Sequence, residues 1–306
     1  MTEGTASGSM VDTAIPPATT GVATVEIAPR RRPGVLHFFL QHRLAALGSV
    51  VLLVLGLVAL FASVVAPYDP DAISLDILAP PRAAHLLGTD DVGRDMLSRL
   101  VYAARISLTV GVVSSIITVI LGVALGSLAG YYGGWIDTVI SSFINIMLSI
   151  PVFPLALVLG SFLETNLRFI VLIIGFLSWM GVARIIRAEY LSLKEREFVQ
   201  AARVTGVPTP GIVIRHILPN TLGPIIVAAT LQVANGILLE SALSYLGYGI
   251  QPPTPSWGNM LQNAQRYLRT APAVAVYPGA LISLTVISIN FVGDGLRDAL
   301  DPRLRE

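Results

Sequence analysis

The amino-acid sequence predicts an all-α membrane protein with six transmembrane helices and both termini on the same side of the bilayer. Three observations predict it. Apolar residues make up 54% of the 306-residue chain and charged residues only 13%, with a mean hydropathy of +0.72; such a composition belongs to integral membrane proteins. The apolar residues gather in stretches long enough for a helix to cross a bilayer, which takes about 20 residues. Gly, Pro and charged residues separate the stretches and punctuate the helices. A soluble chain of this length would suggest about two domains, a reading that the composition excludes.

Composition also removes several classes of function. The net charge is +1 and the basic residues are scattered over loops, which argues against a nucleic-acid partner. Cysteine is absent, so no disulfide framework, iron–sulfur cluster or thiol nucleophile is available. The four histidines, His37, His42, His85 and His216, are too dispersed to suggest a metal cage. No catalytic or metal site is expected.

Residues 1–33, rich in Thr, Ala, Gly, Ser and Pro through Ala28, read as a disordered tail. Arg30, Arg31, Arg32 and Arg43 precede an apolar run from Leu44 to Ala66. A charged start before a hydrophobic run also fits a secretory signal, but the run is of spanning length and Pro67 follows the one plausible cleavage site. Residues 34–66 are therefore expected to form an uncleaved first helix with its basic flank. Residues 67–104 form a polar connector, in which Thr89 or Asp90 caps a short amphipathic helix carrying Met96, Leu97, Leu100 and Val101 on one face. The transmembrane body covers 105–295, with helix two at Ile106–Ala129 and a tight turn at Gly130–Gly134. Helix three covers Trp135–Leu163, interrupted by Pro151 and Pro154, and helix four runs from Leu167 to about Ile186. Helix five covers Leu222–Leu246 and helix six Val274–Val292, and residues 296–306 form a tail.

Six spans put both termini together, and the basic residues choose the side. One face collects Arg30, Arg31, Arg32, Arg43, Arg184, Arg187, Lys194, Arg196, Arg203, Arg215, Arg297, Arg303 and Arg305. The other holds Arg82, Arg94, Arg99, Arg105, Arg168, Arg266 and Arg269, about half as many, among several aspartates. The positive-inside rule then places both termini and the loop 188–220 in the cytoplasm.

That loop is a polar island between apolar segments. Phe198, Ala201, Ala202 and Thr205 recur at helical spacing, giving a short helix one small-sided face. Gly206 suits a left-handed helix end. Thr209-Pro210 suits the cap and first turn of a second helix through Ile212, Val213, Ile214 and Ile217, which Pro219 should stop. Two short helices joined by a glycine turn at a membrane surface make a docking device, although an ordinary basic connector has the same composition.

The island resembles the EAA loop of bacterial ABC importer permeases, in which an Ala-Ala pair, a Gly and a distal Leu-Pro form the coupling helix. Here these are Gln200-Ala201-Ala202, Gly206 and Leu218-Pro219. Gln200 stands where the general motif has Glu, which removes a charge. His216 stands where it has Ile, as in the RHILPN ending common in the peptide-importing branch. The stretches GTDDVGRDMLSRLVYAARISL, LLESALSYLGYGIQPPTPSWGNML and FVGDGLRDALDPRLR resemble the dipeptide/oligopeptide/nickel group, and its second, C-type permease subunit. The resemblance implies the ABC type I importer permease fold with both termini in the cytoplasm of a bacterial cell. It implies a second homologous permease, two ATP-binding subunits, an extracytoplasmic substrate-binding protein and a short-peptide cargo, with nickel complexes or glutathione as alternatives. It also implies that Phe198, Gln200, Ala201, Ala202, Gly206, His216, Leu218 and Pro219 couple the chain to the ATPase, with Phe198 and Ile212 as anchors. No GxxxxGK[ST] phosphate loop occurs, so the chain binds no cofactor of its own and ATP belongs to partner subunits.

Polar residues inside apolar spans should face the bundle interior or a water-filled path. Asn145, Ser149 and Asn235 stand equally as pathway lining or as helix–helix hydrogen-bonding groups; for Glu240 and Asp294 packing or nearness to the interface is the better reading. Trp257 is read as an aromatic anchor at the membrane interface in preference to a binding-protein contact. An ion-gradient transporter would need an inverted repeat and paired intramembrane carboxylates, and a membrane-embedded enzyme an HExxH or GxSxG motif; neither pattern is found.

Overall fold

The computed structural model describes residues 38–162 except 40, residues 166–300, and Thr2 and Gly4. The expected disordered tail, the arginines at 30–32 and the extreme C-terminus lie outside the described residues. Helix α1 is Arg43–Leu60, broken at Phe61 and continued by α2, Ala62–Val65. The others are α3 Met96–Tyr132, α4 Gly134–Ser149, α5 Val152–Phe162, α6 Leu167–Leu193 and α7 Glu197–Val204. They are followed by α8 Thr209–Tyr245, α9 Trp257–Ala264 and α10 Ala273–Leu300. Five of these helices are long and apolar enough to cross a membrane, and the bent pair α4–α5 makes a sixth span if counted as one.

The expected short amphipathic helix and helix two are one element, α3. It is 37 residues long, about 55 Å at 1.5 Å per residue, so nearly half of it must project beyond a hydrocarbon core of about 30 Å. Its cap is Asp95, not Thr89 or Asp90: Asp95 Oδ2 accepts from Ser98 N at 2.8 Å. Asp90 is otherwise engaged, its carboxylate accepting from Arg94 N at 2.9 Å and Arg94 Nε at 2.8 Å. The break in helix three falls where expected, with an 82° bend between α4 and α5. Pro151 makes it, because a proline lacks the N–H that would continue the ladder; Pro154 sits harmlessly in the first turn of α5. Helices α6 and α10 run further than the apolar pattern indicated, to Leu193 and Leu300.

Lipid tails supply no hydrophobic force between helices, so close backbone approach and polar stitches must hold the bundle together. Gly122, Gly126 and Gly130 recur every fourth residue on α3 and lie against α6. A Cβ on Gly126 would stand 2.6 Å from the Ala183 carbonyl oxygen, and one on Gly130 2.7 Å from that of Arg187. Helix α8 crosses α3 as closely, with Ser115 Oγ donating to the Ala229 carbonyl at 2.8 Å.

At the other end of the bundle the stitch is a carboxylate. Glu240 is 0% exposed. Its Oε1 accepts from Ser244 Oγ at 2.7 Å, and its Oε2 from Ser107 Oγ at 3.3 Å and Ser241 Oγ at 3.5 Å. Ser107 Oγ in turn accepts from Trp257 N at 3.3 Å, and Trp257 Nε1 donates to the Leu100 carbonyl at 3.3 Å. Trp257 is thus a core residue, 0% exposed, and neither an interfacial anchor nor an open contact; its ring packs with Met96, Leu100 and Ala103. The capping box of Ser256 and Asn259 fixes the start of α9 on this network. Glu240 is the helix–helix hydrogen-bonding group anticipated, whereas Asp294 lies exposed on α10.

Two outcomes follow from this packing. Gly126→Leu should destabilise the protein by about 1–3 kcal/mol, the usual range for overpacking, read as a lower melting temperature in detergent. Gly56→Leu, where a Cβ would meet nothing within 4 Å, should leave it unchanged. Glu240→Ala strands three buried hydroxyls, so the emission of Trp257, isolated by replacing Trp135 and Trp179 with Phe, should shift to the red as the α9 seat loosens. Glu240→Gln should shift it less.

Candidate functional site

The island folds as the first helix predicts and departs from the second. On α7, Val199 and Ala202 are buried, packing with Val182, Ile186 and Tyr190 of α6. The remaining face points outward: Phe198 is 41% exposed and Val204 88%, with Ala201 and Thr205 also exposed between them. The expected small-sided face is therefore split, Ala202 turning inward to the chain's own spans and Ala201 outward. Val204, the most exposed apolar side chain of the element, was not singled out in the sequence, because its outward direction depends on which side α6 covers.

Gly206 closes α7 with φ +78°, a conformation that costs other residues a Cβ clash. Gly206 N donates to the Arg203 carbonyl and Val207 N to the Ala202 carbonyl, both at 3.1 Å, the paired bonds of a Schellman end. Gln200 Nε2 donates to the Lys194 carbonyl at 3.2 Å, at the C-terminus of α6. A glutamate carboxylate has no hydrogen to give there and would face the negative end of the α6 dipole. The missing charge thus has an explanation within the chain: the side chain fastens α7 to α6.

The second helix begins at Thr209 with Pro208 as its cap residue, and no side-chain hydrogen bond caps it; Thr209 does not play that part. Ile212 and Ile217 are buried in the cluster that holds Val199 and Ala202, so Ile212 anchors the element to its own spans while Phe198 faces away. Pro219 does not stop the helix. Residues Ile212–Ile217 form a π-helical turn and Leu218–Thr221 a 3₁₀ turn, after which the α-helix resumes at Leu222. In a regular helix the Pro219 ring would strike the Arg215 carbonyl; the wider turn ahead of it moves that carbonyl aside. Leu218 N still finds the Val213 carbonyl, and Asn220 Nδ2 donates to the His216 carbonyl at 2.6 Å. His216 and Leu218 are half-buried and Pro219 is exposed. The result is one rod from Thr209 to Tyr245.

The polar residues of the spans are not brought to one place. Asn235 is exposed on α8, its Nδ2 3.5 Å from Gln232 Oε1, and both line a groove of about 500 Å³ with Leu148, Ser178 and Gly181. Ser149 Oγ donates to the Asn145 carbonyl in its own helix at 2.9 Å. Asn145 Oδ1 accepts from Arg184 Nη2 at 3.0 Å, and Arg187 Nη2 donates to Asp137 Oδ2 at 2.6 Å. Arg184 falls near the end of the expected fourth helix and Arg187 just past it; because α6 continues to Leu193, both lie within the helix.

Residues 122–306 match the family described as binding-protein-dependent transport system inner membrane component. Residues 34–81 match the N-terminal transmembrane domain of oligopeptide transport permease C. Among curated proteins, the dipeptide transport system permease protein DppC of Alkalihalophilus pseudofirmus is 40% identical over 266 residues, 87% of this chain and 88% of that one. DppC of Haemophilus influenzae is 39% identical over 276 residues, covering 88% and 94%. The glutathione transport system permease protein GsiD of Pectobacterium atrosepticum is 38% identical over 271 residues, covering 88% and 90%. A solved structure of the MetNI methionine ABC transporter in an inward-facing conformation shares the fold, with a TM-score of 0.55 at 20% identity over 67% of this chain and 98% of that one. With the family matched over most of its length and its helices arranged as in an importer permease, this chain belongs to the inner-membrane components of binding-protein-dependent transport systems.

Proposed function

We propose that the chain is one of two homologous permease subunits of an ATP-driven importer of short peptides in a bacterial cell membrane, with both termini and the 188–220 loop in the cytoplasm. The observation that carries the reading is mechanical: the exposed stripe of Phe198, Ala201 and Val204 sits on a helix bolted to α6 and fused through one turn to the rod α8. A subunit docking on that stripe holds a lever on two spans at once. The absence of a phosphate loop from the sequence supports separate ATPase subunits, and the family's dependence on a binding protein supports an external partner that delivers the cargo. Closure of two ATPase subunits on such elements shifts the populations of inward- and outward-open states by binding one better than the other. The names of the relatives support peptide cargo; one named for glutathione, itself a tripeptide, keeps that substrate as the second reading. In this scheme Asn235, with Gln232, and Asn145 line the route through the membrane, with Ser149 beside them.

The test is uptake of labelled dipeptide by the assembled transporter in proteoliposomes, with ATP enclosed and the binding protein outside. Gly206→Val should insert and retain the ATPase subunits yet lose most ATP-driven uptake, since a β-branched residue at φ +78° costs about 1–3 kcal/mol and reshapes the turn. Gly206→Asn, which tolerates that conformation, should keep far more. Normal uptake by the valine variant would exclude the turn as a coupling element.

A further inference from the structure

Two arginines a turn apart on α6 are treated differently. Arg187 is paired with the Asp137 carboxylate at 2.6 Å. Arg184 is exposed, and its Nη2 meets only the neutral Asn145 amide, at 3.0 Å; among the described residues it makes no ion pair and no other hydrogen bond. An amide oxygen orients a guanidinium without neutralising it. The arginine is also not at the end of its helix, because Arg184 lies nine residues before the last residue of α6, Leu193, about 13 Å at 1.5 Å per residue. An uncompensated charge on a membrane-spanning helix must face water, an anion or another subunit, since lipid excludes it.

A largely apolar groove carrying three polar side chains begins nearby. Gly181, three residues before Arg184, and Leu148, three residues after Asn145, both line the groove of about 500 Å³. Open space lies over Gly181, where a Cβ would meet nothing within 4 Å. Ser178, Gln232 and Asn235 supply neutral hydrogen-bonding groups along the groove, and no carboxylate lines it to satisfy the arginine. A guanidinium fork next to amide-binding groups suits a ligand with one carboxylate and a short run of peptide bonds.

Resting on the peptide-permease reading, we propose that Arg184, aimed by Asn145, receives the carboxylate of the passing peptide on the translocation route, while Ser178, Gln232 and Asn235 meet its amides. Asn145→Asp separates this role from a structural one. If the arginine only ties α4 to α6, a carboxylate at 145 keeps the tie, as Asp137 does for Arg187, and transport persists. If Arg184 serves the substrate, an internal carboxylate occupies it. Uptake of labelled dipeptide by the reconstituted transporter should then fall about tenfold or more, in line with loss of a charge-assisted hydrogen bond, while the melting temperature does not drop. Arg184→Lys should retain part of the uptake and Arg184→Gln little. Unimpaired uptake by Asn145→Asp would overturn the proposal. So would loss of the second permease from the purified Arg184→Gln complex, which would make the arginine a subunit contact. A wild-type transporter that imports no peptide would remove the peptide-cargo reading and this proposal together.

Discussion

The continuity between the surface element and its span depends on backbone hydrogen bonding being carried through Pro219. At a membrane surface an unpaired peptide group is costly, and a proline within a helix creates one. The chain could have ended the helix there, leaving the surface element hinged to the span. Instead the π turn at Ile212–Ile217 and the 3₁₀ turn at Leu218–Thr221 carry the bonds past the ring, with Ile212 and Ile217 held in the buried cluster. Helix α7, the glycine turn and the rod α8 become one body, clamped to α6 by Val199, Ala202 and the Gln200 bond to Lys194.

Around that body the bundle is held by two different means. On one side glycines at every fourth position of α3 bring its backbone against α6, which gains dispersion contacts that lipid cannot match. On the other, Glu240, three serines and the Trp257 amide form a buried polar knot joining α3, α8 and α9. Removing one member of such a knot leaves the others unsatisfied, so it fixes one arrangement. Between these fixed regions the groove beside Asn235 stays open.

Features with local causes were legible in the sequence. The apolar spans follow from composition, the bend at Pro151 from its missing donor, and the end of α7 at Gly206 from the left-handed turn only glycine takes easily. The G-x-x-x-G-x-x-x-G run from Gly122 to Gly130 was readable too, and was overlooked. What failed depended on distant partners. Trp257 looked like an interfacial aromatic because its burial is set by Leu100 and Ser107, about 150 positions earlier. Pro219 looked like a stop because the local rule says so, and tertiary burial of its flanking isoleucines overrides that rule. Asp90 looked like a cap, but Arg94 had claimed its carboxylate. Of the candidate pathway residues, Asn145 found a partner in Arg184, 39 positions away on the next span, a pairing that no local pattern reveals.

The central claim, that residues 197–245 move as one rigid body, is tested most directly by the distance between spin labels at Val204 and Leu231 in the assembled transporter. The account predicts the same distance with and without ATP bound. A change approaching one helical turn, about 5 Å, would reveal a hinge at Gly206 or Pro219 and contradict it.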